Sequence, residues 1–322
     1  MSEIRWSNQT FVFSSPTGRV YSPGLWRLMR NELFKMRRRP LVWGLFALDL
    51  LFVIAAWAVL VYYAMKSPDG FQTGHLLGGP DALSRAIGQP MTPGRRGGEF
   101  IALALGALTF GGEFSSGAIR LVFSRGVRRA RYLLAKYLAL AIVCFALVLF
   151  GFLLSCLLVN LLMLIHKPAP TLLNMNRQTI IYLLEMMVGT YENYLFCMLL
   201  GATISIIARS ATFGIAAGFG YLIGEDIAAQ ILPVIGRSIH SQTGNQIVTF
   251  LFTPNLNAFY ANFLPGFLSS TLNRLDGVIA CTPAGAGCVP VTTLHALIVV
   301  LVWALILWTI STILFIRRDV LQ

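Results

Sequence analysis

The stretch EFSSGAIRLVFSRGVRRARYLLAK, from Glu113 to Lys136, separates two apolar segments of the chain. A segment rich in Gly and Ala precedes it, and the apolar run 137–165 that follows is long enough to cross a bilayer. Short loops rich in Arg and Lys mark the cytoplasmic side of a membrane, so we predict that this hinge, residues 113–136, lies there. Its cations are Arg120, Arg125, Arg128, Arg129, Arg131 and Lys136.

The composition is that of a polytopic membrane protein. Of the 322 residues, 56% are hydrophobic and only 12% are charged, which excludes a soluble globular domain. A net charge of +12 would favour nucleic-acid binding in a soluble protein, but here the cations flank apolar segments. We therefore predict contact with membrane lipid and no nucleic-acid partner.

The apolar segments predict an all-α integral membrane protein with six transmembrane helices. The predicted spans cover about 41–65, 97–114, 137–165, 180–208, 211–232 and 291–316 of a transmembrane domain, 41–316. Gly and Pro predict an outer loop of turns over 66–96, and Pro254 and Pro265 make the outer lid region 236–290 partly re-entrant. About two thirds of the Lys and Arg residues then lie inside, which predicts a cytosolic N-terminus and a cytosolic tail, 317–322.

The N-terminal region 1–40 contains a predicted amphipathic helix. From Pro23 to Arg39, the apolar residues Trp26, Met29 and Leu33 recur at helical spacing among cations. We predict that this interfacial helix lies on the inner leaflet.

Small residues in two spans have the spacing of close helix contacts. They are Gly106, Ala107, Gly111 and Gly112 in span two, and the pairs Gly214-x3-Gly218 and Gly220-x3-Gly224 in span five. Such spacing favours helix packing, although it also arises by chance in Gly-rich segments.

The residue pattern of the hinge is specific. It comprises Glu113, Gly117, Arg120, Leu121, Val122, Phe123, Val127, Arg129 and Lys136. This pattern resembles the loop after the second span of type-2 ATP-binding-cassette (ABC) permeases, the membrane subunits of many bacterial exporters. The resemblance implies a cytoplasmic coupling helix that docks an ATPase through its apolar triplet, 121–123. Arg120, Arg125 and Arg129 would pair with acids of that ATPase. Glu113 would either brace the hinge through a basic neighbour or simply lie at the interface.

The energy source is predicted to be a different polypeptide. None of the four lysines follows a glycine, so the chain lacks the Gly-Lys-Ser/Thr end of a phosphate-binding loop. We therefore expect no enzymatic activity and no cofactor bound by this chain. The resemblance implies two ABC ATPase subunits that bind ATP and Mg²⁺, a second identical or related permease subunit, and the inner membrane of a bacterium.

Ionisable residues inside the predicted spans are candidates for the substrate pathway. Asp49 lies in span one, and Glu185 and Glu192 share one face of span four, where Tyr191 and Asn193 add hydrogen-bonding groups. Such a path would favour an amphipathic or cationic substrate, such as a drug, lipid or peptide. Two alternatives stay open: the carboxyls are structural, or Glu185 and Glu192 relay protons in a proton-coupled secondary transporter.

The sequence contains few residues that indicate a disulfide bond, a metal site or a hydrolase. Cys281 and Cys288 share a predicted outer loop, where oxidising conditions favour a disulfide bond. The histidines fall in predicted loops or at span ends, which argues against a metal site or a membrane hydrolase.

Overall fold

The computed structural model describes an all-helical chain. The described residues are 24–66, 82–117, 119, 122–123, 127–165, 177–241, 243–256 and 292–317. The helices are α1 (Leu25–Arg38), α2 (Pro40–Lys66), α3 (Ala82–Ser115), α4 (Arg129–Ile165), α5 (Arg177–Ala208), α6 (Ala211–Ser238), α7 (Thr243–Val248) and α8 (Thr293–Arg317). A further helical turn covers 252–256, and the described ranges contain no β-strand.

Five of these helices, α2, α4, α5, α6 and α8, are long and apolar enough to cross a membrane. They coincide with five of the predicted spans. The second predicted span lies within α3, which is long enough to cross but carries Arg95, Arg96, Glu99 and Glu113.

Helix α3 is the central element of the bundle. It packs against α2, α4, α5 and α6, and most extensively against α5. Leu103, Ala107 and Phe110 on α3 are completely buried. Because protein rather than lipid surrounds α3, it needs no continuous apolar surface, and it can carry charges that a lipid-facing helix could not.

The contact between α3 and α5 depends on two glycines. A Cβ atom added at Gly106 would overlap the carbonyl oxygen of Met198, and one added at Gly201 would overlap the carbonyl oxygen of Leu103. Each glycine therefore lets the backbone of the partner helix approach without a side chain between them.

The predicted small-residue contacts are confirmed only in part. A Cβ at Gly111 would overlap the backbone of Ala211, one at Gly214 the side chain of Ser205, and one at Gly218 the side chain of Leu103. Gly112, Gly220 and Gly224, in contrast, have no such neighbour within 4 Å. The first pair in α6 therefore packs closely and the second does not.

The helix ends differ from the predicted ones. Helix α3 begins at Ala82, so the prediction of turns is wrong for 82–96, where Pro90 and Pro93 lie inside the helix. Helix α4 begins at Arg129, within the hinge, and α6 continues through Pro233 to Ser238. Gly and Pro are reliable turn signals in water, whereas in a membrane bundle the backbone groups they leave free find partners on neighbouring elements.

We expect Gly106→Ala to lower the free energy of unfolding by about 1–3 kcal/mol, because the added methyl group overpacks the contact between α3 and α5. Gly224→Ala is the matched control and should leave stability unchanged or raise it by up to about 1 kcal/mol through helix propensity. Thermal unfolding of the detergent-solubilised protein measures both. Equal effects of the two substitutions would contradict the assignment.

Candidate coupling site

A glycine within the hinge follows the end of α3. Gly117 has a φ of +67°, in the left-handed region that a Cβ atom disfavours. Its amide donates a hydrogen bond to the carbonyl of Phe114 at 3.3 Å. A glycine just after the last helical turn is a common C-cap, so this position of the hinge pattern has a backbone role.

Glu113 and Lys136, at the two ends of the hinge, form an ion pair. Lys136 is completely buried, and Glu113 is only 3% exposed. The hydroxyl of Tyr132 donates to the Glu113 carboxylate at 2.7 Å, and the Lys136 ammonium donates to the carbonyl of Thr109 at 2.8 Å. Glu113 is therefore paired with a basic neighbour in this structure.

Helix α1 adds two further charged residues to this pair. The Lys35 ammonium lies 2.5 Å from the Glu32 carboxylate and 3.6 Å from that of Glu113. The Tyr132 hydroxyl also lies 3.3 Å from Glu32, which is buried. We call Glu32, Lys35, Glu113, Tyr132 and Lys136 the coupling cluster. Its two acids and two lysines balance in charge, which is the condition under which buried charges are tolerated.

The described part of the apolar triplet lies partly at the surface of the hinge and partly against the helix bundle. Phe123 is half-buried and lies edge-on to Tyr132 and Phe315, with ring centroids 5.9 and 5.8 Å away. The Arg129 guanidinium lies over the Phe123 ring and donates to the carbonyl of Ile316 at 2.8 Å. Phe123 thus connects the hinge to the end of α8, so its replacement would affect packing as well as any docking.

The other predicted hinge residues have varied environments. Val122 is half-buried, whereas Arg120, Leu121 and Arg125 lie outside the described residues, as do Cys281 and Cys288. In the interfacial helix, Met29 is buried and Leu33 is partly buried against the same core, while Trp26 is 73% exposed. Helix α1 therefore packs against the bundle through only one of its faces.

Among the described residues, Asp49 makes one side-chain hydrogen bond, and it lies inside the bundle. It is 1% exposed, and its carboxylate accepts a bond of 3.0 Å from the Tyr194 hydroxyl. A Cβ atom at Gly98 would overlap that hydroxyl, so Gly98 makes room for the contact between α2 and α5. Asp49 therefore connects two helices in this structure.

Glu185 and Glu192 differ from Asp49, because both are half-buried and neither has a polar partner among the described residues. Asn193 instead points into the bundle and donates to Glu99 at 2.6 Å. The Tyr191 hydroxyl donates to the carbonyl of Ala141 at 3.2 Å. The predicted pathway residues therefore do not converge on one site within this chain.

The comparison with known families decides the identity. Residues 26–320 match the model of the ABC-2 family transporter proteins, and this match covers nearly the whole chain. The chain belongs to the ABC-2 family. It is thus a membrane component of an ABC transporter, in a family whose permeases lack an ATPase domain of their own. Comparison with curated proteins gives no match.

The permease contains a second charged network that sequence reasoning missed. Glu99 lies 3.3 Å from the guanidinium groups of both Arg95 and Arg96, and Arg96 also pairs with Asp226 of α6 at 3.1 Å. The two arginines had been assigned to the outer loop, although their spacing from Glu99 is that of ion pairs on one helix face. With Asn193, this network joins α3, α5 and α6.

Glu225 of the permease anchors the described part of the lid region. Its carboxylate accepts hydrogen bonds from the amide of Phe252, from the amide of Thr253 at 3.1 Å and from the Thr253 hydroxyl at 2.7 Å. The helical turn at 252–256, which includes the buried Asn255, is thereby held against α6. Among the described residues, no group of His, Cys, Asp and Glu could hold a metal ion.

We expect Lys136→Met to destabilise the permease by about 3–5 kcal/mol, because it leaves Glu113 buried without its main counter-charge. The double variant Glu113→Gln/Lys136→Met removes both charges and should recover a large part of this loss. Thermal unfolding of the two single variants and the double variant gives the coupling energy. Additive losses in the double variant would show that the pair does not act as a unit.

Proposed function

We propose that this permease is the membrane subunit of an ATP-driven exporter and that it receives energy through the hinge from a separate ATPase. The coupling cluster is the observation that carries the proposal. It joins α1, α3 and α4 by charge-assisted bonds, of which those of Tyr132 and Lys136 are buried, at the segment whose sequence resembles a coupling helix. A displacement of the hinge would therefore move the ends of three helices together.

The position of α3 extends this displacement to the rest of the bundle. Helix α3 ends at the hinge and packs against α2, α4, α5 and α6. A tightly packed helix moves as a rigid element, so closure of two ATPases around ATP and Mg²⁺ would shift α3 against its neighbours. In a complex with a second permease, identical or related, this shift would open the path between the two subunits to the outside.

The charge of the hinge supports an acidic docking partner. Arg128 and Arg131 are exposed at the start of α4, and basic surfaces attract acidic ones during association. We propose that the hinge and both termini lie on the cytosolic side of a bacterial inner membrane, which the positive-inside rule favours.

The half-buried acids favour a cationic or amphipathic cargo. Glu185 and Glu192 carry carboxylates without a polar partner among the described residues, on a helix that also presents the apolar Met187. The same two carboxylates are what a proton-coupled secondary transporter would use, and this is the second candidate function.

The ATPase partnership predicts that Arg128→Glu weakens binding of the ATPase, with up to about a fivefold loss of co-purified ATPase, since one exposed ion pair is worth about 0.2–1 kcal/mol. Arg177→Glu is the matched control, because Arg177 is also an exposed arginine at the start of a helix but lies on the predicted outer side. Affinity purification from native membranes, followed by mass spectrometry of the partners, measures the loss. Equal losses in the two variants would contradict docking at the hinge.

The energy source distinguishes the two candidate functions. Inside-out vesicles that contain the permease and its ATPase should accumulate ethidium, a cationic amphiphile, only when ATP is present and equally well after an uncoupler is added. Glu192→Gln should reduce this uptake several-fold while leaving co-purification of the ATPase unchanged, since Glu192 lies on α5, away from the hinge. Uptake that is abolished by the uncoupler and independent of ATP would favour the proton-coupled transporter.

A further inference from the structure

An apolar groove lies between the interfacial helix and two spanning helices. Its volume is about 580 Å³, and α1, α2 and α4 each contribute to its walls. Met36, Phe46, Ala146 and Phe150 are among the lining residues. A pocket of this size and apolarity is of the class that holds small apolar ligands or single chains.

Aromatic contacts fix the walls of the groove. The Phe46 ring of α2 lies edge-on to Phe150 of α4 at 5.8 Å and contacts Trp43 at 6.1 Å. The Trp43 indole N–H donates to the carbonyl of Arg37 at 2.8 Å, which connects the start of α2 to the end of α1. These contacts between the helices therefore hold the shape of the groove.

Arg37 is the charged residue among the groove-lining side chains. It is exposed, and its guanidinium has no hydrogen bond or ion pair with any described residue. Arg38 and Arg39 follow it, and the Arg38 guanidinium lies over the Phe34 ring at 4.6 Å. One mouth of an apolar groove thus carries positive charge that nothing in the described chain neutralises.

The positive charge and the apolar walls of the groove match the two parts of an anionic phospholipid. An anionic phospholipid has a negative headgroup on an apolar chain, and basic pockets beside spanning helices on the cytoplasmic side recognise such headgroups. Along α2, the lining residues run from Val42 to Leu50, or about 12 Å at 1.5 Å per residue. That is most of one leaflet, since the hydrocarbon core is about 30 Å thick.

We propose that the groove is a binding site for a single anionic phospholipid of the inner leaflet, with its phosphate on Arg37 and one acyl chain between α1, α2 and α4. A bound lipid would add a further contact between α1 and the bundle. The site goes beyond the proposed export function and does not depend on the direction of transport or on the ATPase.

The experiment is native mass spectrometry of the purified full-length permease, titrated with phosphatidylglycerol or phosphatidylcholine. The wild type should bind one phosphatidylglycerol per chain more tightly than phosphatidylcholine. Arg37→Gln should weaken binding of phosphatidylglycerol about fivefold and that of phosphatidylcholine by less, because the choline ammonium already offsets the phosphate charge of phosphatidylcholine. Ala146→Trp fills the groove and should weaken binding of both lipids about tenfold, the equivalent of roughly two displaced methylene groups.

Two matched variants control for charge and bulk. Arg30→Gln removes an exposed arginine of α1 that does not line the groove, and Leu48→Trp adds a ring to an exposed position of α2 outside it. Both should bind the two lipids as the wild type does. The proposal is overturned if Arg30→Gln and Arg37→Gln have equal effects, or if Ala146→Trp leaves binding unchanged. It is also overturned if Ala146→Trp dissociates a permease dimer, because a second subunit would then occupy the groove.

Discussion

Burial of the Lys136 ammonium is the constraint on which the hinge end of the structure depends. A charge with no access to water costs several kcal/mol unless a counter-charge and hydrogen bonds replace its hydration. Glu113, Tyr132 and the carbonyl of Thr109 supply them, and they fix the first turns of α4 against the last turns of α3. Because these contacts hold the two helices together at this point, the hinge that connects them runs between two adjacent helix ends. The second acid, Glu32, brings α1 into the same arrangement.

The anchoring of α3 at this end also constrains how the rest of the helix packs. A helix held at one end by a buried ion pair must also fit the bundle along its length, and the glycine contacts with α5 allow that fit. Toward its other end, Glu99 forms a further network with α5 and α6. Glu99 and Glu113 are about 21 Å apart along the helix axis, so charged contacts fix α3 near both ends of its buried part.

Much of the fold could be predicted from the sequence because lipid imposes simple rules on exposed helices. Long apolar runs predicted α2, α4, α5, α6 and α8, and helical periodicity predicted α1. The rules fail where protein replaces lipid as the environment. The prediction of an outer loop over 66–96 fails for 82–96, which are helical, and Arg95 is buried within the bundle. The Glu113 and Lys136 pair joins residues 23 positions apart, and only the three-dimensional fold reveals which of several cations meets the carboxylate.

The burial of α3 also has a consequence for biogenesis. A translocon inserts each segment according to the hydrophobicity of that segment. A charged residue near the centre of a span costs about 2.5–3.5 kcal/mol at that stage. Helix α3 carries several charges whose partners lie on α1, α4 and α6, and most of these partners are synthesised after it. It therefore cannot reach its final environment until the later helices have entered the membrane. Helix α3, the central element of this permease, is thus among the last helices to reach its final packing, although it is among the first to be synthesised.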